Sequence, residues 1–389
     1  MSSKSSSVCL YLLLLLLVSG TRTAVSHWIV KTLPGFPGEL PFKLETGYIS
    51  VGEGEFFYYF VESEGNPRAD PLLLYINGGP GCSALNGFLY QIGPLKFNIA
   101  DYTGGLPTLI YEPNTWTKTA NVLFLDAPVG GGFSYATISE AWSASDTKVA
   151  AQAYEFLRHW LIEHSDFMNN PVYLGSDSYQ GVVTPILAQD IINGNEAGIE
   201  PQVNIKGLSL GCPHTNSVLE DNTRVIFAHR MGLISDAMYK NFDYILFDIW
   251  IKNKSVQGAL HVRPGTVKEV FRCNITLTSE YSYNVKDAIP YHKNLTNTGL
   301  QILVFSGDHD MSVTHIAVEQ WINSLDLTID TEWRPWFVDG QVAGYTRKYT
   351  NSDYRLTYAT IKGAGHSPTE YKRKECYDMF HRWIRYYPL

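Results

Sequence analysis

Residues 171–188, PVYLGSDSYQGVVTPILA, leave few folds open. The short apolar run Pro171–Leu174 reads as a strand, and Val182–Ala188 reads as the start of a helix. Between them runs a tight turn, Gly175 to Gly181, with Ser178 at its apex. A strand, a serine turn and a helix in succession are the context of a nucleophile elbow. Such a turn lifts the Ser178 hydroxyl out of a sheet towards a helix N-terminus, where unpaired amides can bind an oxyanion. Small residues are expected two before and two after the serine. Ser176 meets the first need and Gln180 does not. On this stretch alone an ordinary surface turn is the competing reading.

The rest of the chain supplies a sheet for that elbow. With 45% hydrophobic residues, 389 residues can bury one large α/β core or two smaller ones. Strands are expected at Pro71–Ile76, Asn121–Leu125, Ile205–Leu210, Leu300–Phe305 and Tyr358–Ile361, after a hairpin over 47–61. The unbroken apolar run of the first suits a strand buried on both faces. A helix from Asp146 to about His164 places Val149, Ala153, Phe156, Leu157, Trp160 and Leu161 on one side, with Ser145 or Asp146 as its cap. Further helical pieces are expected around 227–236, and a closing helix over Glu375–Trp383. Strand and helix in alternation predict a parallel sheet with right-handed crossovers. No repeat, linker or second boundary interrupts 27–389, so one domain is expected.

Three function-bearing strand ends come in a telling order. Ser178, Asp310 and His366 each follow a predicted strand, in the chain order of α/β-hydrolases. Open parallel sheets gather their ligands outside the carboxyl ends of the strands. The chemistry needs all three side chains. A serine hydroxyl is a weak nucleophile at neutral pH, an imidazole must take its proton, and a carboxylate must fix the ring's tautomer. Asp308 competes as the acid, its other role being to stabilise a turn. His309 and His315 compete as the base. The loop Asn77-Gly78-Gly79-Pro80-Gly81-Cys82-Ser83 follows a central strand, and its Gly79 amide is a candidate oxyanion donor. A second glycine loop, 126–135, shapes the pocket wall.

Charge and termini narrow the partners. A net charge of -8 and a pI near 5.8 offer no footprint for nucleic acid. After Lys4, the apolar run Val8–Val18 is too short to span a bilayer but suits a signal-peptide core. Ala24 and Ser26 place cleavage after Ser26, so 1–26 reads as a leader into the secretory pathway, with no membrane attachment afterwards. Cys9 would leave with it. Cys82, Cys212, Cys273 and Cys376 then permit three full pairings, between which spacing does not choose. There is no CxxC pair and no phosphate-binding fingerprint, so neither a metal nor an organic cofactor is indicated. Asn253, Asn274 and Asn294 head glycosylation sequons.

Taken together, NGGPGCS (77–83), SDSYQG (176–181), SGDHD (306–310) and KGAGH (362–366) resemble the serine carboxypeptidase family over nearly the whole mature chain. ETGYIS (45–50), SDTK (145–148), WRPW (333–336), VAGYTR (342–347) and Asp177 before the nucleophile resemble its plant acyltransferase-like branch. The resemblance implies an α/β-hydrolase fold, a mostly parallel central sheet with helices on both faces. It implies Ser178, Asp310 and His366 as a triad, with the Gly79 and Tyr179 amides as the oxyanion hole. It implies Asn77 and Asp177 at the substrate's polar end, and a Cys82–Cys273 disulfide. The sequence departs from the family at Ser176, at Gln180, at Cys212 where asparagine is usual, and near 242–248, where a cap insertion is nearly absent. The cap, about 212–295, is therefore expected to be reduced.

Three functions are compatible with this reading. The first is acyl transfer from a 1-O-glucose ester to an acceptor hydroxyl through a Ser178 acyl-enzyme, with small-molecule donor and acceptor as partners. The second is release of C-terminal amino acids from a peptide. The family's peptidases resemble one another in binding the peptide carboxylate with two acidic side chains that share a proton, and here one of those positions is Gln91, opposite Asp177. The third is a catalytically impaired isoform.

Overall fold

Side chains along the central strands are buried on alternate faces, and the alternation builds two cores. In Leu72–Ile76, Leu72, Leu74 and Ile76 enter one cluster while Leu73 and Tyr75 enter the other. Leu123 and Leu125 against Val122 and Phe124 repeat the pattern in the strand alongside. A sheet buried on both faces runs through the protein. The computed structural model describes residues 26–221, 223–224, 247, 249–267 and 270–389.

The strands are β1 (Ser26–Val30), β2 (Leu44–Val51), β3 (Gly54–Val61), β4 (Leu72–Ile76), β5 (Leu95–Phe97), β6 (Leu109–Tyr111) and β7 (Asn121–Leu125). They continue with β8 (Tyr135–Ala136), β9 (Val172–Asp177), β10 (Ile205–Gly211), β11 (Gln301–Gly307), β12 (Thr328–Val338), β13 (Gln341–Asn351) and β14 (Tyr354–Ile361). The main sheet has the order β1-β2-β3-β7-β4-β9-β10-β11-β14-β13-β12, with β8 on β3, while β5 and β6 pair apart from it. From β7 to β14 every pairing is parallel, and both margins are antiparallel. Helices α1 (Asp146–Glu163) and α2 (Gln180–Glu196) cover one face, where Phe156, Leu157, Trp160, Val183 and Ile186 join the first core. Three further helices matter below: α3 (Ile275–Glu280), α4 (Ile289–Leu295) and α5 (His315–Asn323). The closing helix α6 (Arg373–Ile384) covers the opposite face through Met379, Phe380 and Trp383. This is the α/β-hydrolase fold.

Each expected strand lies within an observed one, or extends one residue beyond its end, and the helix expected from Asp146 is α1. Its cap is Ser145, whose hydroxyl accepts the Lys148 amide at 3.4 Å. Periodicity did not reveal β12. Asp330, Glu332, Arg334 and Pro335 break any apolar run there, as befits an edge strand. The helical pieces expected around 227–236 lie outside the described residues. So do the expected cap loss near 242–248, of which only Phe247 is described, and the leader expected over 1–26, of which only Ser26 is described. Among the described residues no helix is long and apolar enough to cross a membrane.

Candidate active site

β9 ends at Asp177 and α2 begins at Gln180, so Ser178 and Tyr179 alone make the connection. Ser178 has φ +53, in the left-handed region that costs a non-glycine residue of order 1–3 kcal/mol. Neighbours hold it there. Its amide donates to the Gly211 carbonyl at 2.9 Å, and its carbonyl accepts the His214 amide at 2.9 Å. The close approaches fall beside the positions that the sequence suggested. A Cβ on Gly78 would stand 2.8 Å from the Ser178 Cβ, and one on Gly181 would stand 2.5 Å from the Pro213 Cβ. Ser176 is accommodated by accepting the Thr184 hydroxyl at 2.8 Å. Gln180 is not. It is fully buried, and neither of its amide atoms has a hydrogen-bond partner among the described residues, a burden of roughly 1–3 kcal/mol per group.

The ends of β11 and β14 bring the other two side chains to this turn. His366 Nε2 lies 2.8 Å from Ser178 Oγ, and His366 Nδ1 lies 2.8 Å from Asp310 Oδ2. The second Asp310 oxygen accepts the amides of Ser312 at 2.7 Å and Val313 at 3.1 Å, which aims the carboxylate. Burial pulls the His366 pKa down, but the hydrogen bond and charge of Asp310, joined by the charges of Asp177 and Glu370, outweigh it, and the net direction is upward. The competitors stand elsewhere. Asp308 accepts the Gly363 amide at 2.7 Å, a turn-stabilising role, and His309 is exposed beside it. His315 opens α5. Behind the acid lies Cys212, its sulfur within 4.8 Å of the ligand atoms of Asp310 and His366, and burial pushes its thiol pKa well up.

The glycine loop lies against the same turn. Gly79 has φ +118, and among the described residues the amides of Gly79 and Tyr179 donate to no protein acceptor. Asp126, buried and missed by sequence reasoning, ties both glycine loops together. Its Oδ1 accepts the Ser83 hydroxyl at 2.9 Å and the Ala84 amide at 2.7 Å, and its Oδ2 accepts the Phe133 amide at 2.9 Å. Burial, against these bonds, pushes its pKa up to about 6.

Asn77, Gln91 and Asp177 do come together. Asp177 Oδ2 accepts the Gln91 amide at 2.9 Å, while Oδ1 accepts the Gly78 amide at 2.9 Å and the Asn77 amide at 3.2 Å. Gln91 Oε1 in turn accepts Asn77 Nδ2 at 2.9 Å and the Tyr75 hydroxyl at 2.8 Å. Every donor here is neutral.

Residues 273–285 roof the site. Leu277 of α3 packs where a Cβ on Gly81 would stand, 2.7 Å from its Cδ2. The Tyr179 hydroxyl donates to Asp146 Oδ1 at 2.6 Å, and Asp146 Oδ2 accepts the Val285 amide at 2.8 Å. The rings of Tyr281 and Tyr283 stand edge-on to Tyr179 at 5.9 and 5.4 Å. In sequence Asp146 looked like a cap, and nothing local marked it as the anchor of this roof. Asn274 also faces inward, donating to the Gly130 carbonyl at 3.0 Å and capping α3 through the Leu277 amide at 3.1 Å. Asn253 caps the short helix Lys254–Ala259, and Asn294 is exposed on α4.

The Cys82–Cys273 disulfide is present and bolts this roof to the glycine loop across 191 residues of sequence. Cys212 and Cys376 are free and buried. Replacing Cys82 and Cys273 together by serine is expected to cost roughly 5 kcal/mol in the chain-entropy account. Denaturant unfolding of the purified double variant measures this.

Similarity to known proteins agrees with the geometry. The profile of the family described as serine carboxypeptidase matches residues 34–246 and 243–386, two segments that meet at 243–246. Serine carboxypeptidase-like 7 of Arabidopsis thaliana is 40% identical over 439 aligned residues, covering 99% of either chain. Serine carboxypeptidase-like 13 of the same plant is 41% identical over 434, covering 97% of this chain and 99% of its own. Among solved structures, Kex1(Δp), a prohormone-processing carboxypeptidase of Saccharomyces cerevisiae, matches with a TM-score of 0.76 at 17% identity, over 88% of this chain and 91% of that one. At that identity the likeness is one of fold.

Proposed function

Because the chain belongs to the serine carboxypeptidase family and is an enzyme of that type, we propose that it transfers an acyl group from a 1-O-glucose ester to an acceptor hydroxyl. Ser178 Oγ attacks the ester carbonyl carbon while its proton passes to His366 Nε2. The new oxyanion sits between the amides of Gly79 and Tyr179, each such donor being worth roughly 3–4 kcal/mol to the transition state. The carbon–oxygen bond to glucose then breaks, and His366 returns the proton to the departing hydroxyl. An acceptor hydroxyl next gives its proton to His366 and attacks the acyl-enzyme, which frees Ser178. Asp310 holds the ring and offsets its positive charge in both halves.

The pairing of Gln91 with Asp177 supports a sugar ester over a peptide. A second carboxyl in place of Gln91 could sit beside Asp177 only by sharing a proton, and that pair would then meet a peptide carboxylate. An amide donates to Asp177 without any proton to share. What remains facing the substrate is a carboxylate, which suits a sugar hydroxyl donor and repels a peptide's C-terminal carboxylate. We further read residues 1–26 as a secretory leader, with the extracellular space or vacuole as destination. We read Asn294 as the sequon best placed for a glycan, and the region 212–295 as a reduced cap. The relatives' alignments of 439 and 434 residues exceed the 389 of this chain, as a shortened insertion requires.

Incubating the purified enzyme with hydroxycinnamoyl glucose esters plus alcohol acceptors, and separately with a blocked dipeptide, tests the reading. Ester product without amino-acid release is expected. Amino-acid release without acyl transfer overturns it, and silence in both assays favours the impaired isoform that the unpaired Gln180 motivates. Gln91→Glu is expected to raise dipeptide hydrolysis about tenfold below pH 5, where one shared proton can be held, with little gain at pH 7. Initial rates across that range measure it.

A further inference from the structure

Away from the active site, three metal-ligating side chains meet beside the first strand. The ligand atoms of His27, Glu45 and His164 lie within 4.8 Å of one another. His27 sits on β1, Glu45 on β2, and His164 directly follows α1. The β1–β2 register sets His27 opposite Gly47 and Ile29 opposite Glu45, so His27 and Glu45 are diagonal neighbours on one face. His27 is exposed, while Glu45 is buried.

The hydrogen bonds around His164 do not balance for a neutral ring. Its Nδ1 lies 2.9 Å from the Trp160 carbonyl, which can only accept. Its Nε2 lies 2.7 Å from Glu45 Oε1, which already accepts the Tyr58 hydroxyl at 2.7 Å. A neutral imidazole has one N–H, so it cannot donate to both. Either a further proton, on the ring or on Glu45, or a cation must stand between Nε2 and the carboxyl group. Stacking on Trp160, at 4.1 Å and 6°, keeps the ring from turning away. Beside it, Glu163 Oε2 is buried with no hydrogen-bond partner among the described residues. Glu45, Glu163 and His164 line one cleft of about 570 Å³.

We propose that His27, Glu45 and His164 bind a zinc ion that ties β1 to the end of α1. Two imidazoles and a carboxylate are a borderline nitrogen–oxygen donor set, suited to Zn²⁺. The Trp160 carbonyl orients His164 as an outer partner commonly does for a ligating imidazole. Tetrahedral bonds of about 2.0–2.1 Å set donor atoms about 3.3 Å apart, within small side-chain adjustments of the separations here. The cleft leaves the fourth position to water. Because each ligand comes from a different element, no spacing in the sequence announces the site.

Zinc titration of the chelator-treated full chain, by calorimetry, tests this directly. One ion per chain is expected, with X-ray absorption showing two imidazoles in its shell and a melting temperature that rises with zinc. His27→Ala, an exposed change that spares the core, is expected to weaken binding about 100-fold, and so is His164→Ala. His366→Ala, which disables the separate Cys212–Asp310–His366 cluster, is expected to leave binding unchanged. Absence of saturable 1:1 binding, or undiminished binding in His27→Ala, overturns the proposal in favour of a hydrogen-bonded Glu45–His164 ion pair. Binding lost in His366→Ala overturns it too, by placing the ion in the active site.

Discussion

Alanine at position 178 is expected to lower turnover by about 10⁶-fold, leaving at most the residual rate that binding and the oxyanion amides supply. Fluorophosphonate labelling should vanish in the same variant, while its fold persists, because among the described residues Ser178 makes one side-chain bond, to His366. A companion variant separates chemistry from strain. Glycine at 178 removes the Cβ from a residue at φ +53 and is expected to raise stability by about 1 kcal/mol while being equally inactive. Labelling that survives in Ser178→Ala would remove the serine from the mechanism. Labelling absent from the unaltered, well-folded protein would instead point to the buried Gln180 as a fault in the elbow.

Asp310→Asn should lower turnover by about 10⁴-fold, because the amide favours the wrong tautomer of His366. The pH profile carries the sharper prediction. Burial depresses the His366 pKa, and the bond and charge of Asp310, together with the charges of Asp177 and Glu370, raise it by more. Below that pKa the ring is already protonated and cannot take the Ser178 proton, so the acid limb of kcat/KM reports it. Removing the carboxylate takes away the largest influence that opposes burial, leaving only the charges of Asp177 and Glu370, and the limb should move to lower pH. An unmoved limb would mean that another group titrates there. Linkage runs the other way for stability. A raised histidine pKa stabilises the fold below its ordinary value of about 6.5, and that increment is lost as pH rises through the folded value.

Much of this architecture could be read directly from the chain. Pro171–Ala188, NGGPGCS and the strand ends before Asp310 and His366 are local patterns, each decided by residues a few positions apart. Their order along the chain was enough to expect a triad, and the folded protein brings the three side chains within hydrogen-bond reach. The Cys82–Cys273 pair came from likeness to relatives rather than from spacing.

What stayed hidden depends on the path of the chain through space. Asp146, one of two cap candidates beside Ser145 in the sequence, instead holds Tyr179 and the amide of Val285. Asp126 gave no sign that it joins two loops, and Gly181, rather than position 180, turned out to face Pro213. Propensity, periodicity and turn chemistry act over one or two turns of backbone, so they specify which segments become strands, helices and elbows. Which buried carboxylate meets which donor is decided only when sheet order and packing set those segments side by side, and nothing within a single segment encodes that.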